Sequence, residues 1–250
     1  MKVSIVTICY NSAKTIEDTI KSIGAQTYPD IEYIIVDGMS TDNTLEIVNQ
    51  YRDVVTKVIC EKDKGISDAF NKGILAATGE LIGIVNSDDV LLPETVQYIV
   101  EHIDPDTDCI HGNMIVFGGS EFDRDKVVKP NGNYKTLSYC LGSVIHPGSF
   151  VRKSAYERYG LFDVHYKSCM DRDLIFRMYR AGAKFQYVDK ELVRVRRGGV
   201  SFTGIKLSLD EGREISLKNG TSPIVANGYY IYHYCKIQLK KNLKRIVHRG

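Results

Sequence analysis

Two adjacent carboxylates, Asp88 and Asp89, follow the apolar run 81–85 and are the side chains best suited to chemistry in this sequence. Such a run is typical of a buried strand, and ligands of open α/β sheets collect beyond the carboxyl ends of strands. Because adjacent carboxylates repel each other, a cation between them and an anionic ligand would stabilise the pair. Oxygen ligands favour Mg²⁺ or Mn²⁺, which often also bind substrate phosphates. The alternative is that both residues only cap a helix beginning near Pro93.

Two further acidic residues stand at the ends of expected elements. Asp37 ends the second expected strand, and Asp171 opens a helical pattern. The helix dipole favours an ionised carboxylate at a helix start, which suits a general base. Both residues also have a purely structural explanation. Asp37-Gly38 is a common turn dipeptide, and Ser168…Asp171 has the spacing of a capping box.

Apolar runs and helical spacings alternate along the first hundred residues. An Asn43…Glu46 pair has the spacing of a capping box at the second helix. Repeated strand–helix units imply right-handed crossovers, so the predicted fold class is α/β with a mostly parallel sheet flanked by helices. The expected strands cover residues 3–8, 31–36, 57–61 and 81–85, and the expected helices include residues 16–23, 45–48 and 67–77.

The second half of the chain has a looser pattern. Residues 118–133 are polar and are expected to form a loop or a lid. We expect helices over residues 93–103 and 171–181 and strands over residues 109–117 and 145–151.

Composition limits the class of protein. A chain of 250 residues can bury a core as one large domain or two fused halves, and a net charge of +2 argues against a nucleic-acid footprint over the whole protein. Its six cysteines contain no Cys-x-x-Cys pair, which favours a reducing cytosol. No signal peptide is evident, and no apolar run approaches the ~20 residues that span a bilayer. We therefore expect a cytoplasmic protein.

Six stretches of the sequence, taken in order, resemble family 2 glycosyltransferases with the GT-A fold. They extend together from residue 3 to about residue 201. The stretches are residues 4–11 (SIVTICYN), 36–42 (VDGMSTD), 63–73 (DKGISDAFNKG), 86–89 (NSDD), 146–150 (HPGSF) and 170–174 (MDRDL).

The resemblance implies transfer of a sugar from a nucleotide-sugar donor to an acceptor hydroxyl, with inversion at the anomeric carbon. It implies a divalent cofactor, Mn²⁺ or Mg²⁺, with Asp89 as the metal ligand, and it makes Asp171 the catalytic carboxylate. Tyr10 would lie against the base, Asp37 would accept a hydrogen bond from it, and Asp88 would reach the ribose or donor sugar. Thr7, Asp68 and Arg197 complete the predicted donor site. The nucleotide is predicted to be UDP.

Two positions depart from the family pattern. Phe70 stands near the place where the family often has an arginine close to the diphosphate. Arg196 and Arg197 stand where many members have a metal-binding histidine. A guanidinium fork suits phosphate oxygens, so we predict that one of these arginines, Arg197 in the first place, binds the diphosphate. The following Gly198-Gly199 pair would let that loop close.

The carboxyl-terminal segment is basic and rich in tyrosine. No acidic residue follows Glu214 in this sequence, whereas lysines and arginines continue to Arg249. Residues 229–249 combine aromatic anchors with a cationic amphipathic helix, which indicates contact with an anionic bilayer. The alternative is a helix docked on the catalytic domain with a solvated charged face.

The sequence thus predicts a GT-A domain over residues 1–205 and a basic helical extension over residues 206–250. Within that domain, residues 1–100 would bind the nucleotide-sugar and residues 101–205 the acceptor. The expected acceptor is a lipid-linked glycan of bacterial surface polysaccharide, at the cytoplasmic face of the inner membrane, and no nucleic-acid partner is expected. One alternative is a sugar-nucleotide nucleotidyltransferase, although residues 10–13 lack the Gly-rich phosphate loop that it would need after strand one. The other alternative is a non-catalytic nucleotide-sugar-binding protein.

Overall fold

A computed structural model describes residues 1–118, 124–138, 143–198 and 204–247, with only the backbone described for residues 205 and 240–247. Parts of three sequence predictions lie outside these ranges. They are residues 119–123 of the expected lid, Gly199, and the last residues of the basic tail.

Strands and helices alternate through the described residues. The strands are β1 (Val3–Cys9), β2 (Ile31–Asp37), β3 (Lys57–Cys60), β4 (Leu81–Ile84), β5 (Val90–Leu91), β6 (Cys109–Phe117), β7 (Lys126–Val128), β8 (Phe150–Arg152) and β9 (Phe185–Arg196). The helices are α1 (Ile16–Gly24), α2 (Thr44–Asn49), α3 (Ile66–Ala76), α4 (Thr95–His102), α5 (Lys153–Tyr159), α6 (Met170–Arg180), α7 (Ile205–Lys218) and α8 (Pro223–Val247), with a 3₁₀ turn at Tyr134–Ser138.

All the described strands belong to one sheet with the order β3-β2-β1-β4-β8-β6-β9-β5, and β7 pairs with β6. The predicted α/β class is confirmed. The sheet is parallel from β3 to β4, but β8 runs antiparallel to both β4 and β6. The sheet is therefore mixed: the expected parallel pairing is found from β3 to β4 and again between β6 and β9, whereas β5, β7 and β8 pair antiparallel with their neighbours. A single sheet joins the two predicted halves of the GT-A domain.

The sheet is covered on both faces, which explains the nearly continuous apolar runs of its central strands. On one face, Val6 and Ile34 pack with Phe70 of α3 and with residues of α6. On the other face, Ile5 and Tyr33 pack with residues of α1, α2 and α4. The alternation of side chains along β1 divides the core in this way.

Several local predictions are wrong in detail. Asn43 makes no side-chain cap bond at α2. Instead, Asp42 Oδ1 accepts hydrogen bonds from Thr44 N (3.0 Å) and from the Thr44 hydroxyl. The strand expected over residues 145–151 begins only at Phe150, because a turn with Gly148 at φ +74° precedes it. The polar segment expected to be a loop contains β7.

The carboxyl-terminal helices pack onto the helical layer that covers one face of the sheet, with Ile215 of α7 in its core. Helix α7 packs against α6 and α8 packs against α7. None of the helices in the described ranges combines the length and apolar character needed to cross a membrane.

The packing of α3 on β1 depends on a residue without a side chain at position 73. A Cβ on Gly73 would overlap Cγ1 of Val6, a stiff, fully buried residue. We expect Gly73→Ala to lower the free energy of unfolding by about 1–3 kcal/mol, measured by urea denaturation. Gly228→Ala is the matched control, because a Cβ there meets no atom within 4 Å and a helical alanine is favoured by up to about 1 kcal/mol. Equal effects of the two substitutions would contradict this packing.

Candidate active site

Asp88 and Asp89 lie in a turn just beyond the carboxyl end of β4. Asp89 is 1% exposed, and its carboxylate accepts hydrogen bonds from Asn86 Nδ2 (2.9 Å) and Arg196 N (3.2 Å). Asp88 is partly exposed. The helix-capping alternative is excluded, because α4 begins at Thr95 without a side-chain cap. Asp89 therefore fixes the turn, and Asp88 presents its carboxylate towards solvent.

Desolvation disfavours the charged form of both carboxylates. Desolvation, followed by the charge of Asp88, raises the pKa of the Asp89 carboxyl to about 7. Desolvation also raises the pKa of Asp88, and Arg196 acts in the opposite direction on both groups. No cluster of three or more His, Cys, Asp or Glu residues that could hold a metal occurs in the described parts of the chain. The pair therefore fits a hard cation such as Mg²⁺ or Mn²⁺ that takes its other ligands from water and phosphates.

Arg196 and Arg197 point to different surroundings at the end of β9. Arg196 Nη2 binds Asp18 Oδ2 at 3.0 Å, and its Nε donates to the Asp88 carbonyl at 3.4 Å. Arg197 Nη1 donates to the Gly118 carbonyl at 3.1 Å. The structure therefore brings Arg196 to the carboxylate pair, whereas the guanidinium of Arg197 lies against the segment that follows β6.

The loop after β1 adjoins the carboxylate turn. Ser12 Oγ lies 2.9 Å from Ser87 Oγ, and the ring of Tyr10 is 63% exposed. Asp63 also reaches this loop: an ideal Cβ on Gly38 would lie 2.5 Å from Asp63 Oδ2 and 3.5 Å from Tyr10 Cδ2. The sequence prediction gave Asp63 no role. The available signal was Gly38, whose missing side chain leaves room for a carboxylate from another loop.

Asp37 and Thr7 lie below this surface. Asp37 is fully buried, and its carboxylate accepts hydrogen bonds from Ser40 N (2.8 Å) and Ser40 Oγ (2.5 Å), so it holds the loop after β2 in place. Thr7 is also fully buried, and its hydroxyl accepts a hydrogen bond from Tyr33 at 3.1 Å. The structure brings neither side chain to the exposed surface.

Asp68, another predicted donor-site residue, stabilises the start of α3. Its carboxylate accepts a hydrogen bond from Lys64 N at 2.9 Å and pairs with Lys72 Nζ at 3.4 Å. These contacts also lower the pKa of Asp68.

Asp171 is the second residue of α6 and is partly exposed. One carboxylate oxygen accepts a hydrogen bond from Arg172 N at 2.8 Å, and in the described chain no donor contacts the other oxygen. The capping-box alternative is not observed, because Ser168 Oγ lies against Ser208 Oγ at 2.6 Å instead of capping α6. Asp171 is therefore available to a ligand.

His146 lies in the turn before β8. Its ring packs against Phe70 and Phe162, with centroids 6.1 and 5.7 Å apart. Burial lowers the pKa of His146, while the charge of Asp171 acts to raise it. The turn that carries His146 runs into β8, where Phe150 pairs with Gly83 of β4. Ser67, at the start of α3, donates a hydrogen bond to the Tyr166 carbonyl at 3.0 Å, so the segment that leads into α6 and Asp171 lies on the side of the sheet where β3 and β4 end.

Comparisons with known proteins agree with this arrangement. The family model described as "Glycosyl transferase family 2" matches residues 4–178. An uncharacterized glycosyltransferase of Nostoc sp. is 40% identical over 104 residues, which are 40% of this chain and 32% of that protein. An uncharacterized glycosyltransferase of Rickettsia prowazekii is 30% identical over 203 residues, which are 76% of this chain and 62% of that protein. The chain spans about a third to two thirds of the length of these relatives.

Solved structures share the fold. S. aureus TarS in complex with UDP-GlcNAc has a TM-score of 0.69 and 21% identity, covering 92% of this chain and 70% of that chain. The mannosyltransferase PcManGT from Pyrobaculum calidifontis, in complex with GDP-Man and Mn²⁺, has a TM-score of 0.66 and 19% identity, covering 92% and 69%. These likenesses confirm the predicted GT-A fold. Since the family model covers more than half of the sequence, the chain belongs to glycosyl transferase family 2.

Proposed function

We propose that this chain transfers a sugar from a nucleotide-sugar donor to a hydroxyl group of a glycan acceptor, with inversion at the anomeric carbon. The observation that carries this proposal is the Asp88–Asp89 pair at the carboxyl end of β4 in a family 2 chain, in which Asp89 is buried and Asp88 is partly exposed. Such a pair suits a cation-bound diphosphate. Asp171, a partly exposed carboxylate at the start of α6, supplies the base.

The donor's nucleoside would lie on the loops after β1 and β3. The exposed ring of Tyr10 offers a surface for stacking against a base, and the adjacent Asp63 carboxylate can accept a hydrogen bond from a base N–H group. The ring N–H of uracil meets this requirement, as do those of thymine and guanine, so the donor nucleotides that fit are UDP, dTDP and GDP. TarS, which is similar in fold, binds UDP-GlcNAc.

The diphosphate would lie beside the Asp88–Asp89 turn. The sequence made Asp89 the metal ligand, but both of its oxygens accept hydrogen bonds, from Asn86 and Arg196. We therefore assign the accessible ligand position for Mg²⁺ or Mn²⁺ to Asp88, while Asp89 holds the turn and adds negative charge next to it. When bound, the ion supplies Lewis-acid stabilisation of the charge that develops on the diphosphate. Arg196 faces the same turn and provides a fixed cation there, as its contacts with Asp88 and Asp18 show.

Asp171 would act on the acceptor. Its free oxygen accepts the proton of the acceptor hydroxyl as that oxygen attacks the anomeric carbon, on the side opposite the departing diphosphate. Attack from the opposite side inverts the configuration. The helix dipole of α6 favours the ionised carboxylate that this step requires.

The carboxyl-terminal helix supports a lipid-linked acceptor. Its exposed apolar residues recur at spacings of seven and eight, so they lie on one side of the helix. This apolar face of α8 consists of Ile224 (85% exposed), Val225 (46%), Ile231 (59%), Tyr232 (60%) and Leu239 (61%). Lys236 is exposed on the same helix, and Lys240, Lys241, Lys244 and Arg245 follow in the sequence. An apolar face with positive charge and no acidic residue is complementary to an anionic lipid surface.

Donor binding and catalysis can be separated by two substitutions. The first measurement is thermal stability with UDP, GDP, dTDP and CMP, each with Mn²⁺. A nucleotide present at 100 times its Kd should raise the free energy of unfolding by about 2.7 kcal/mol. Asp88→Asn should lose the stabilisation that depends on Mn²⁺. Asp171→Asn should keep it but lower kcat for nucleotide release from the matching sugar donor by about 10²–10⁴-fold.

The outcomes distinguish the alternatives. Stabilisation without sugar transfer by the wild type would indicate a non-catalytic binding protein. Unchanged kcat in Asp171→Asn would rule out Asp171 as the base.

Titration of Asp89 predicts a pH-dependent stability in the absence of metal. Because its pKa is raised from 3.8 to about 7, its contribution to folding is complete below pH 3.8 and is lost as the pH rises through about 7. In EDTA, the free energy of unfolding of wild-type protein should fall between pH 6 and pH 8 by about 1 kcal/mol more than that of Asp89→Asn, measured by urea denaturation. Mn²⁺ should stabilise wild-type protein more at pH 8, where Asp89 is ionised and adds its negative charge next to Asp88.

Asp68→Asn is the control, because the lowered pKa of Asp68 keeps that carboxylate ionised throughout this range. A wild-type loss equal to that of Asp89→Asn would show that Asp89 does not titrate near pH 7.

The apolar face of α8 predicts binding to anionic vesicles. Full-length protein should float with phosphatidylcholine vesicles that contain about a third phosphatidylglycerol and much less with phosphatidylcholine alone, since both charge and apolar area contribute. The double variant Ile231→Ser, Leu239→Ser should lose flotation. Leu75→Ser is the matched control, because Leu75 is 71% exposed on α3.

Equal flotation of the double variant and the wild type would contradict membrane contact through this face. A dimer in solution that the double variant dissociates would instead assign the face to a second copy of the chain.

A further inference from the structure

Glu211 of α7 reaches the start of α6, the helix that carries Asp171. Its Oε1 accepts a hydrogen bond from Lys167 N at 2.9 Å, and its Oε2 accepts hydrogen bonds from Ser168 N at 2.9 Å and Cys169 N at 2.8 Å. The first N–H groups of a helix and of the turn before it lack partners within the helix, and a carboxylate can satisfy them. Here that carboxylate comes from a different helix, 42 residues further along the chain.

The carboxylate of Glu211 is held almost out of solvent, since the residue is 7% exposed. Hydrogen bonds from N–H groups to a charged acceptor are about twice as strong as those between neutral groups. Three such bonds to one side chain fix the backbone of residues 167–169 with respect to α7. Asp171 follows Cys169 by two residues, so the direction of its side chain depends on the same turn.

Further contacts join α6 and α7 one turn beyond Glu211. Arg172 Nη2 donates a hydrogen bond to Ser216 Oγ at 2.7 Å, and Gly212 leaves the space that the Arg172 guanidinium occupies. Ser208, Gly212 and Ser216 are spaced by four residues, so they form one side of α7. The family model ends at residue 178, before α7 begins. These contacts therefore lie outside the part of the chain that the family pattern describes.

We propose that Glu211 is a positioning residue for the transfer reaction. Its carboxylate fixes the turn before α6 and thereby directs Asp171 at the acceptor hydroxyl. This inference rests on the proposed function, because it assumes that Asp171 is the base. In the described chain the carboxylate of Glu211 accepts hydrogen bonds from residues 167–169 and from none of the donor loops, so its loss should change turnover and leave donor binding unaltered.

The test compares Glu211→Gln with Glu214→Gln, the same change one turn later on α7. Glu214 contacts Tyr166 and His165 at 3.3 Å and does not reach residues 167–169. A glutamine at 211 has one acceptor oxygen and directs an NH₂ group at backbone N–H groups. We expect kcat about 10- to 100-fold lower in Glu211→Gln, with donor KM within about twofold of wild type. Glu214→Gln should keep wild-type values of both.

Amide hydrogen exchange provides a readout that does not need activity. In Glu211→Gln the amides of residues 167–169 should exchange at least about tenfold faster, without a similar change in the strands. If wild-type protein transfers no sugar, the proposed function fails, and exchange still reports whether Glu211 holds the turn. If Glu211→Gln does not fold, Glu211→Asp replaces it, because the shorter carboxylate keeps its charge but cannot reach all three N–H groups. A kcat within about twofold of wild type in the folded variant, or unchanged exchange at residues 167–169, would overturn the inference.

Discussion

The site depends on two like charges held next to each other, of which Asp89 is buried and Asp88 is partly exposed. Asp88 and Asp89 can share one turn only because β9 crosses to the same edge, where Arg196 supplies a backbone N–H group and a guanidinium. Pairing of β9 with both β6 and β5 fixes that crossing. The residual negative charge is what the turn offers to a cation, and the raised pKa of Asp89 is the expected sign of that imbalance.

Parallel pairing explains why distant segments meet here. Strands β1, β2, β3 and β4 all end at one edge, so the loops that follow them converge although they are 20 to 30 residues apart in the sequence. The antiparallel strand β8 then brings the His146 turn to that edge from the opposite direction. The second half of the chain therefore contributes residues to the same sheet edge as the loops of the first half.

Periodicity predicted the elements that are buried on one or both faces. The observed β6 matches the expected range 109–117, and α6 begins one residue before the expected range 171–181. The functions of single side chains were harder to predict, because they depend on partners that are remote in sequence. Asp37 satisfies the loop after β2, and Asp63 occupies the space beside Gly38. Only three-dimensional proximity distinguishes these two acids.

Helix α7 has a consequence for the design of chimeric enzymes. Residues 4–178 match the family model, yet the turn before α6 is completed by a carboxylate from residue 211. A graft that joins a foreign carboxyl-terminal part just after β9 would remove that acceptor and leave three N–H groups facing a new surface. Segment exchange between relatives should therefore place its junction beyond Lys218, where α7 ends.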